Sequence, residues 1–93
     1  MTKNILTKKN CFISGATGGI GKEISKQLAI KNCNLFLTGT NENKLKKLKN
    51  DILKINNSIN INYASCDVSN LVDVEKLIKK VRKSFKSIDI VIN

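Results

Sequence analysis

The chain has 93 residues, with 17 basic and 7 acidic side chains and a formal net charge of +10. That length makes one unit spanning residues 1–93, able to bury only about two thirds of its unfolded surface, and no apolar run approaches the roughly 20 residues of a membrane span. Three widely spaced cysteines, Cys11, Cys33 and Cys66, without a single histidine, argue against zinc and against a disulfide framework. Residues 1–9 contain no apolar core of signal-peptide length, so the expected compartment is the cytoplasm.

The positive charge raises the question of nucleic acid, and its composition answers it. Of the 17 basic residues only Arg82 is arginine. The sequence is rich in lysine, asparagine and isoleucine together, as AT-rich coding produces. In Lys44-Leu45-Lys46-Lys47-Leu48-Lys49 the leucines keep helical spacing and the lysines face outward. Four scattered aromatics make no stacking platform. These lysines read as a solvated face, not a nucleic-acid footprint, although they favour acidic partners through long-range attraction.

Apolar runs and helical patterns alternate along the chain. Cys11–Ser14 reads as a first strand, and Gly19–Lys31 as a helix with Ile20, Ile24 and Leu28 at four-residue intervals. Residues 35–38 form a second strand. A second helix carries Leu45, Leu48, Ile52 and Ile55. The strict alternation of residues 59–63 predicts a third strand at a sheet edge, because a parallel strand buried on both faces would be apolar throughout. A third helix shows Leu71, Val74, Ile78, Val81 and Phe85, with Ser69 or Asn70 as its N-cap. Residues 88–92 form a fourth strand, apolar enough for the middle of a sheet. Helical crossovers between strands imply parallel pairing with right-handed connections. The arrangement expected is half of a doubly wound α/β sheet with strand order 3-2-1-4. A ligand then belongs at the carboxyl ends of the strands, where the order reverses between the first and the fourth.

One motif occupies that place. Ser14-Gly15-Ala16-Thr17-Gly18-Gly19-Ile20-Gly21 lies between the first strand and the first helix. Glycines there allow a tight turn and let a pyrophosphate approach the backbone, with the amides and dipole of the helix N-terminus facing the anion. A phosphate-loop NTPase needs G-x-x-x-x-G-K-[ST]. Aligned on Gly21-Lys22, that pattern meets Ala16 at its first glycine and Glu23 at its hydroxyl position, so it fails. The spacing of Gly15, Gly19 and Gly21 is G-x-x-x-G-x-G, which differs from the G-x-G-x-x-G dinucleotide fingerprint.

This variant, preceded by Ser14 and with Ile20 between the last glycines, resembles the short-chain dehydrogenase/reductase family, which usually has threonine at the position of Ser14. Two further segments are similar. Asp67-Val68-Ser69 resembles the family's adenine contact, in which a carboxylate meets the amino group and the next amide a ring nitrogen. A helix cap is the competing explanation of those residues. Asp89-Ile90-Val91-Ile92-Asn93 resembles the strand that runs into Asn-Asn-Ala-Gly. The resemblance implies a three-layer Rossmann-type fold, here in its N-terminal half, and a nicotinamide dinucleotide as ligand. It places Gly15, Ala16, Thr17, Gly18, Gly19, Ile20, Gly21, Thr40, Asp67, Val68 and Asn93 around that cofactor. Residues 37–45 look most like bacterial 3-oxoacyl-[acyl-carrier-protein] reductases of fatty acid synthesis. That likeness implies acyl carrier protein as a partner and a homo-oligomer for a full-length protein. Relatives acting on a sugar, a steroid or a small alcohol, and a non-catalytic dinucleotide-binding module, are the alternatives.

Charge bears on the choice of cofactor. An acid at the end of the second strand would grip the ribose hydroxyl of NAD and repel the extra phosphate of NADP. Gly39 stands there instead, beside Thr40, so NADP is the expected cofactor, with NAD as the alternative. The arginines that relatives often bring to the phosphate are replaced by Gly18 and Thr40; Lys44 is the cation that reaches it from the next helical turn. The family's catalytic Ser and Tyr-x-x-x-Lys are not among these residues. Tyr63 is the only tyrosine and is followed four positions later by Asp67, so its expected role is packing. No reductase activity is expected of the 93 residues alone, and the apolar fourth strand is expected to leave an open edge.

Overall fold

The computed structural model describes residues 8–93; most of the segment read above for a signal peptide lies outside them. Strands β1 (Asn10–Ile13), β2 (Asn34–Gly39), β3 (Ile61–Ser65) and β4 (Ile90–Ile92) alternate with helices α1 (Gly19–Ile30), α2 (Glu42–Ile55) and α3 (Leu71–Ser84). All the strands are parallel, in one sheet of order β3-β2-β1-β4. This is the three-layer Rossmann-type half-sheet expected from the sequence. Among the described residues no helix is long and apolar enough to cross a membrane.

Register divides the strand residues between two faces. Ile61, Leu35, Cys11 and Ile90 lie in one row across the sheet, and Tyr63, Leu37, Ile13 and Ile92 in another on the same face. Helices α1 and α2 cover this side, where Ala29, Leu45, Leu48 and Ile52 complete a single buried cluster. Tyr63 packs at its margin, with the Lys49 ammonium 5.9 Å from the ring centroid. The opposite face is covered by α3 alone. There Phe36 and Ala64 meet Val81 and Phe85. Phe36 stacks on Phe12 with centroids 6.1 Å apart and meets Phe85 edge-on at 6.5 Å.

Local chemistry explains the element ends. α1 stops in a Schellman arrangement, with Asn32 N–H donating to Ala29 O and Cys33 N–H to Leu28 O, while Asn32 takes φ +66°. α2 and α3 begin at Asn41 and Asn70, whose side chains accept from Lys44 N and Asp73 N. Asn70 is thus the cap, not Ser69.

The structure shifts three of the expected patterns. β3 begins two residues later than the alternation suggested. Asn60 is held by its N–H donating to Asn34 Oδ1 and its carbonyl accepting from Leu35 N, and the strand then follows β2 out to Ser65 opposite Gly39. In α1 the fully buried positions are Ser25 and Ala29, while Ile20 is 79% exposed. Gly21, Ser25 and Ala29 recur at four-residue intervals, and small side chains on that stripe let the helix lie close to the sheet. The Ser25 hydroxyl is satisfied by Gly21 O at 2.7 Å. In α3, Leu71 and Ile78 are exposed and Leu77 packs inward instead, because α3 sits over β3 and contributes to a core centred on Phe36.

β4 is shorter than expected and lies at the sheet edge, with β1 as its partner. Asp89 opens it, its N–H donating to Asn10 O while its carboxylate accepts from Asn10 N. On the α3 side Val91 is 58% exposed and Ile88 43%. Among the described residues no strand pairs with the outer side of β4. Unfolding in urea should separate the covered and the open parts of the α3 face. Phe36→Ala is expected to cost about 3–5 kcal/mol, as for a large buried aromatic, whereas Val91→Lys should change stability by less than about 0.5 kcal/mol. The same Val91→Lys variant should self-associate less by light scattering, since a charge protects an open edge.

Candidate nucleotide site

The segment between β1 and α1 is held at both neighbouring strands. Ser14 N–H donates to Ile92 O at 2.9 Å, and its hydroxyl lies within reach of Ile92 O and Asn93 Oδ1 at 3.2 and 3.3 Å. Ala16 N–H donates to Thr38 O at 3.1 Å on the other side. Between these anchors Gly15 takes φ +59°, a left-handed conformation that side chains disfavour. Gly21 is required for a different reason. A Cβ there would collide with the Gly15 carbonyl oxygen and lie 3.0 Å from Gly15 C. At Gly19, by contrast, a Cβ would meet no protein atom within 4 Å.

The helix start that follows is open. Gly18 occupies the N-cap with φ −70° and ψ 165°, and no side chain caps the helix. Intrahelical bonding begins with Lys22 N–H to Gly18 O, so the preceding amides of the first turn have no helical acceptor. α2 and α3 spend asparagine side chains at the equivalent place. The first turn of α1 also carries no acidic residue. Unfilled donors and an unopposed dipole together suit an anion.

Cavities open beside the carboxyl ends of consecutive strands. One of about 390 Å³ is bordered by Ser14, Gly15, Gly18–Gly21, Ile24, Ile92 and Asn93. A second of about 330 Å³ lies against Thr40, Ser65, Cys66, Asp67 and Asp73. A third of about 210 Å³ is formed by Thr17 with residues of α1 and α2. Most residues expected at the cofactor therefore gather on one edge of the sheet. Two stand apart: Ala16 is fully buried in the core, and Val68 is 84% exposed.

Asp67 is locally fixed. Its Oδ1 accepts from Ser69 N at 3.0 Å and from the Ser69 hydroxyl at 2.6 Å. These bonds, the hydroxyl first, hold its carboxyl below the usual carboxylate range. Its own N–H donates to Asp73 Oδ2 at 3.3 Å. Cys66 N–H donates to Gly39 O, and burial, then the charges of Asp73 and Asp67, push the Cys66 thiol up. Sequence reasoning missed Cys66, Asp73, Lys22 and Lys47. Asp73 had a signal, because α3 points its N-terminus to the same edge as α1. Lys22 and Lys47 had none, since they meet only when two helices pack side by side.

The family model of short chain dehydrogenases matches residues 9–93. The chain belongs to the short chain dehydrogenase family. An uncharacterized oxidoreductase of Staphylococcus aureus is 33% identical over 89 residues, which are 96% of this chain and 37% of the relative. Among solved structures, YwfH, an NADPH dependent reductase involved in bacilysin biosynthesis, is 26% identical, with a TM-score of 0.85 over 94% of this chain and 37% of its own. The alcohol dehydrogenase of the archaeon Thermococcus sibiricus, complexed with 5-hydroxy-NADP, is 31% identical, with a TM-score of 0.82 over 90% of this chain and 35% of its own. The chain spans between 26% and 37% of the length of the curated relatives it matches.

For this short chain dehydrogenase segment the glycines divide into those packed against the chain and those that face open space. Gly21→Ala is expected to destabilise the fold by about 1–3 kcal/mol through overpacking against the Gly15 carbonyl. Gly19→Ala should leave the unfolding transition within about 0.5 kcal/mol and weaken dinucleotide binding, as measured by calorimetric titration.

Proposed function

We propose that these residues bind NADP as the cofactor portion of a short-chain oxidoreductase. The observation that carries this reading is the uncapped N-terminus of α1, which faces open space beside Gly19 at the carboxyl edge of the sheet. In it the pyrophosphate lies against the first turn of α1, at Gly18, Gly19 and Ile20. The adenine lies at Asp67 and Val68, where Asp67 Oδ2 accepts from the amino group and the Val68 amide meets the ring. Thr40 faces the adenosine ribose, and Asn93 lies on the nicotinamide side. The exposure of the apolar Ile20 and Val68, 79% and 84%, supports this, because a bound dinucleotide covers such groups.

NADP is proposed over NAD because Gly39 ends β2 without a carboxylate to repel a 2′-phosphate. For the whole protein we propose reduction of a 3-oxoacyl thioester carried by acyl carrier protein. The support is the likeness of residues 37–45 to such reductases and a basic surface that suits an acidic carrier. Turnover of a 3-oxoacyl thioester by the whole protein is the expected result; preference for a sugar or steroid ketone overturns this substrate.

Cofactor choice has a direct test. A side chain at Gly39 would meet Thr17 Oγ1 and Leu45 Cδ2 only at 3.6 and 3.7 Å, so the backbone accepts one without a clash. Gly39→Asp is expected to lower NADP affinity by about tenfold or more, a change of about 1.4 kcal/mol, and to strengthen NAD. A parent chain that prefers NAD in the same titration contradicts the NADP assignment.

A further inference from the structure

The first turn of α3 uses its carboxylate outside its own helix. Asn70 is the N-cap, so Asp73 is the third helical residue, the place from which an acid closes a capping box. In that box the carboxylate accepts from the N–H of the cap residue. Here the Asn70 N–H donates instead to Asp67 O at 3.0 Å, and Asp73 Oδ2 accepts from Asp67 N at 3.3 Å. The Asp73 N–H donates to Asn70 Oδ1 at 3.2 Å, so the helix is capped without that carboxylate.

Consecutive peptides of the loop are fixed as a result. The Cys66 N–H is held by Gly39 O, the Asp67 N–H by Asp73, and Asp67 O by the Asn70 N–H. A trans peptide is planar and points its N–H opposite to its C=O. With Asp67 O bound to the start of α3, the Val68 N–H of the same peptide faces away from that helix. The Asp67 side chain is fixed too, since both bonds from Ser69 end on Oδ1 and leave Oδ2 as an acceptor. Those bonds hold its carboxyl below the usual range, so it stays an acceptor at neutral pH. Asp67 and Asp73 both border the cavity of about 330 Å³. An acceptor on Asp67 and a donor on the next residue thus keep a fixed relation beside it.

We infer, on the dinucleotide reading above, that Asp73 is a positioning residue that sets base specificity. By holding the Asp67 N–H it keeps the Asp67–Val68 pair in register for adenine and against a base with a carbonyl at the same carbon. Adenine offers its amino group as a donor and the adjacent ring nitrogen as an acceptor. Hypoxanthine reverses both, with a carbonyl oxygen in place of the amino group and a proton on that nitrogen. Against hypoxanthine the carboxylate meets an oxygen and the amide meets an N–H, and polar groups left unpaired weaken binding. The second carboxylate at the cavity, Asp73 itself, adds to the repulsion of a carbonyl oxygen. Rejection requires the pair to be held still, because a mobile carboxylate or amide would turn away from the mismatch. Asp73 supplies that restraint from a helix, whereas Ser69 restrains only the side chain of Asp67.

The test uses the 93-residue chain and two ligand pairs that differ only in the base. These are adenosine with inosine 5′-monophosphate, and NAD with nicotinamide hypoxanthine dinucleotide. Calorimetric titration of the parent should favour the adenine member of each pair by about tenfold or more. Asp73→Ala should weaken the adenine ligands by about tenfold and change the hypoxanthine ligands by less than about twofold, so that discrimination is lost. Asp73→Asn keeps an acceptor for the Asp67 N–H and should keep discrimination. Asp73→Ser, with a shorter reach, should lose it as alanine does, so the comparison survives if alanine unfolds the chain. Asp67→Ala/Asp73→Ala should bind adenine ligands no worse than Asp67→Ala, because Asp73 acts through Asp67. Glu75→Ala removes an exposed acid of α3 away from the cavity and should alter no ligand. Circular dichroism checks that each variant keeps its helices. Equal losses for both members of a pair, an unchanged ratio in Asp73→Ala, or a lost ratio in Asp73→Asn or Glu75→Ala overturns the role. A double variant weaker than Asp67→Ala overturns it as well. If the parent binds both members of each pair alike, the role fails and the dinucleotide site stands. If it binds none of the four, the dinucleotide reading falls and the role with it.

Discussion

The close approach of α1 to the loop beneath it sets the position of everything at the carboxyl edge. Gly21 has no room for even a methyl group, because the Gly15 carbonyl fills that space. Ser25 and Ala29 continue the same stripe, one and two turns on, and both are fully buried. A helix seated on Gly, Ser and Ala can lie nearer the sheet than one seated on isoleucine. That seating directs the N-terminus of α1 over the ends of β1 and β4. Gly15 reverses the chain through a left-handed turn, and Ala16 and Ser14 tie it to β2 and β4. The dipole and free amides are then aimed without help from any side chain.

Burial is unequal on the two faces of the sheet. On the side of α1 and α2, rows of Cys11, Ile13, Leu35, Leu37 and Ile61 are sealed. On the other side α3 alone covers Phe36, and Val91 stays largely in water. Stability is therefore concentrated in β1, β2 and β3. β4 is held through Asn10, Asp89 and the bonds from Ser14 to its last residues. The same Ser14 that anchors the glycine turn also bonds to Ile92 and Asn93, so the site and the edge strand β4 are joined.

Charge follows packing as well as composition. An excess of lysine makes the whole surface positive, which by itself says little about any ligand. The juxtaposition of α1 and α2 concentrates three of those lysines around one opening next to Thr17. At the neighbouring opening Asp67 and Asp73 supply the opposite sign, and there burial first, then Asp73 and Asp67, push the Cys66 thiol up. The carboxyl edge is therefore polarised along its length, and a molecule lying across it meets a cationic end and an anionic end.

Much of this was legible in the residue string, because its signals are local. The glycine spacing, the alternation of apolar runs with helical patterns, and Asn70 before Leu71 each depend on a few adjacent residues. They sufficed for the element order, the parallel sheet and its 3-2-1-4 topology. What tertiary structure decided was which side of each pattern is buried. Ile20, Ile24 and Leu28 keep a perfect helical interval, yet the fully buried positions of α1 are Ser25 and Ala29, while Ile24 and Leu28 are only half-buried and Ile20 is exposed. Leu77 displaced Ile78 from the core because a single helix, lying over β3, defines the packing direction on that face. Ala16 belongs to a binding motif in sequence and to the core in space, its amide taken by Thr38. The cluster of Thr17, Lys22 and Lys47 had no trace in the string, because residues from a loop and two helices become neighbours only when those helices pack together.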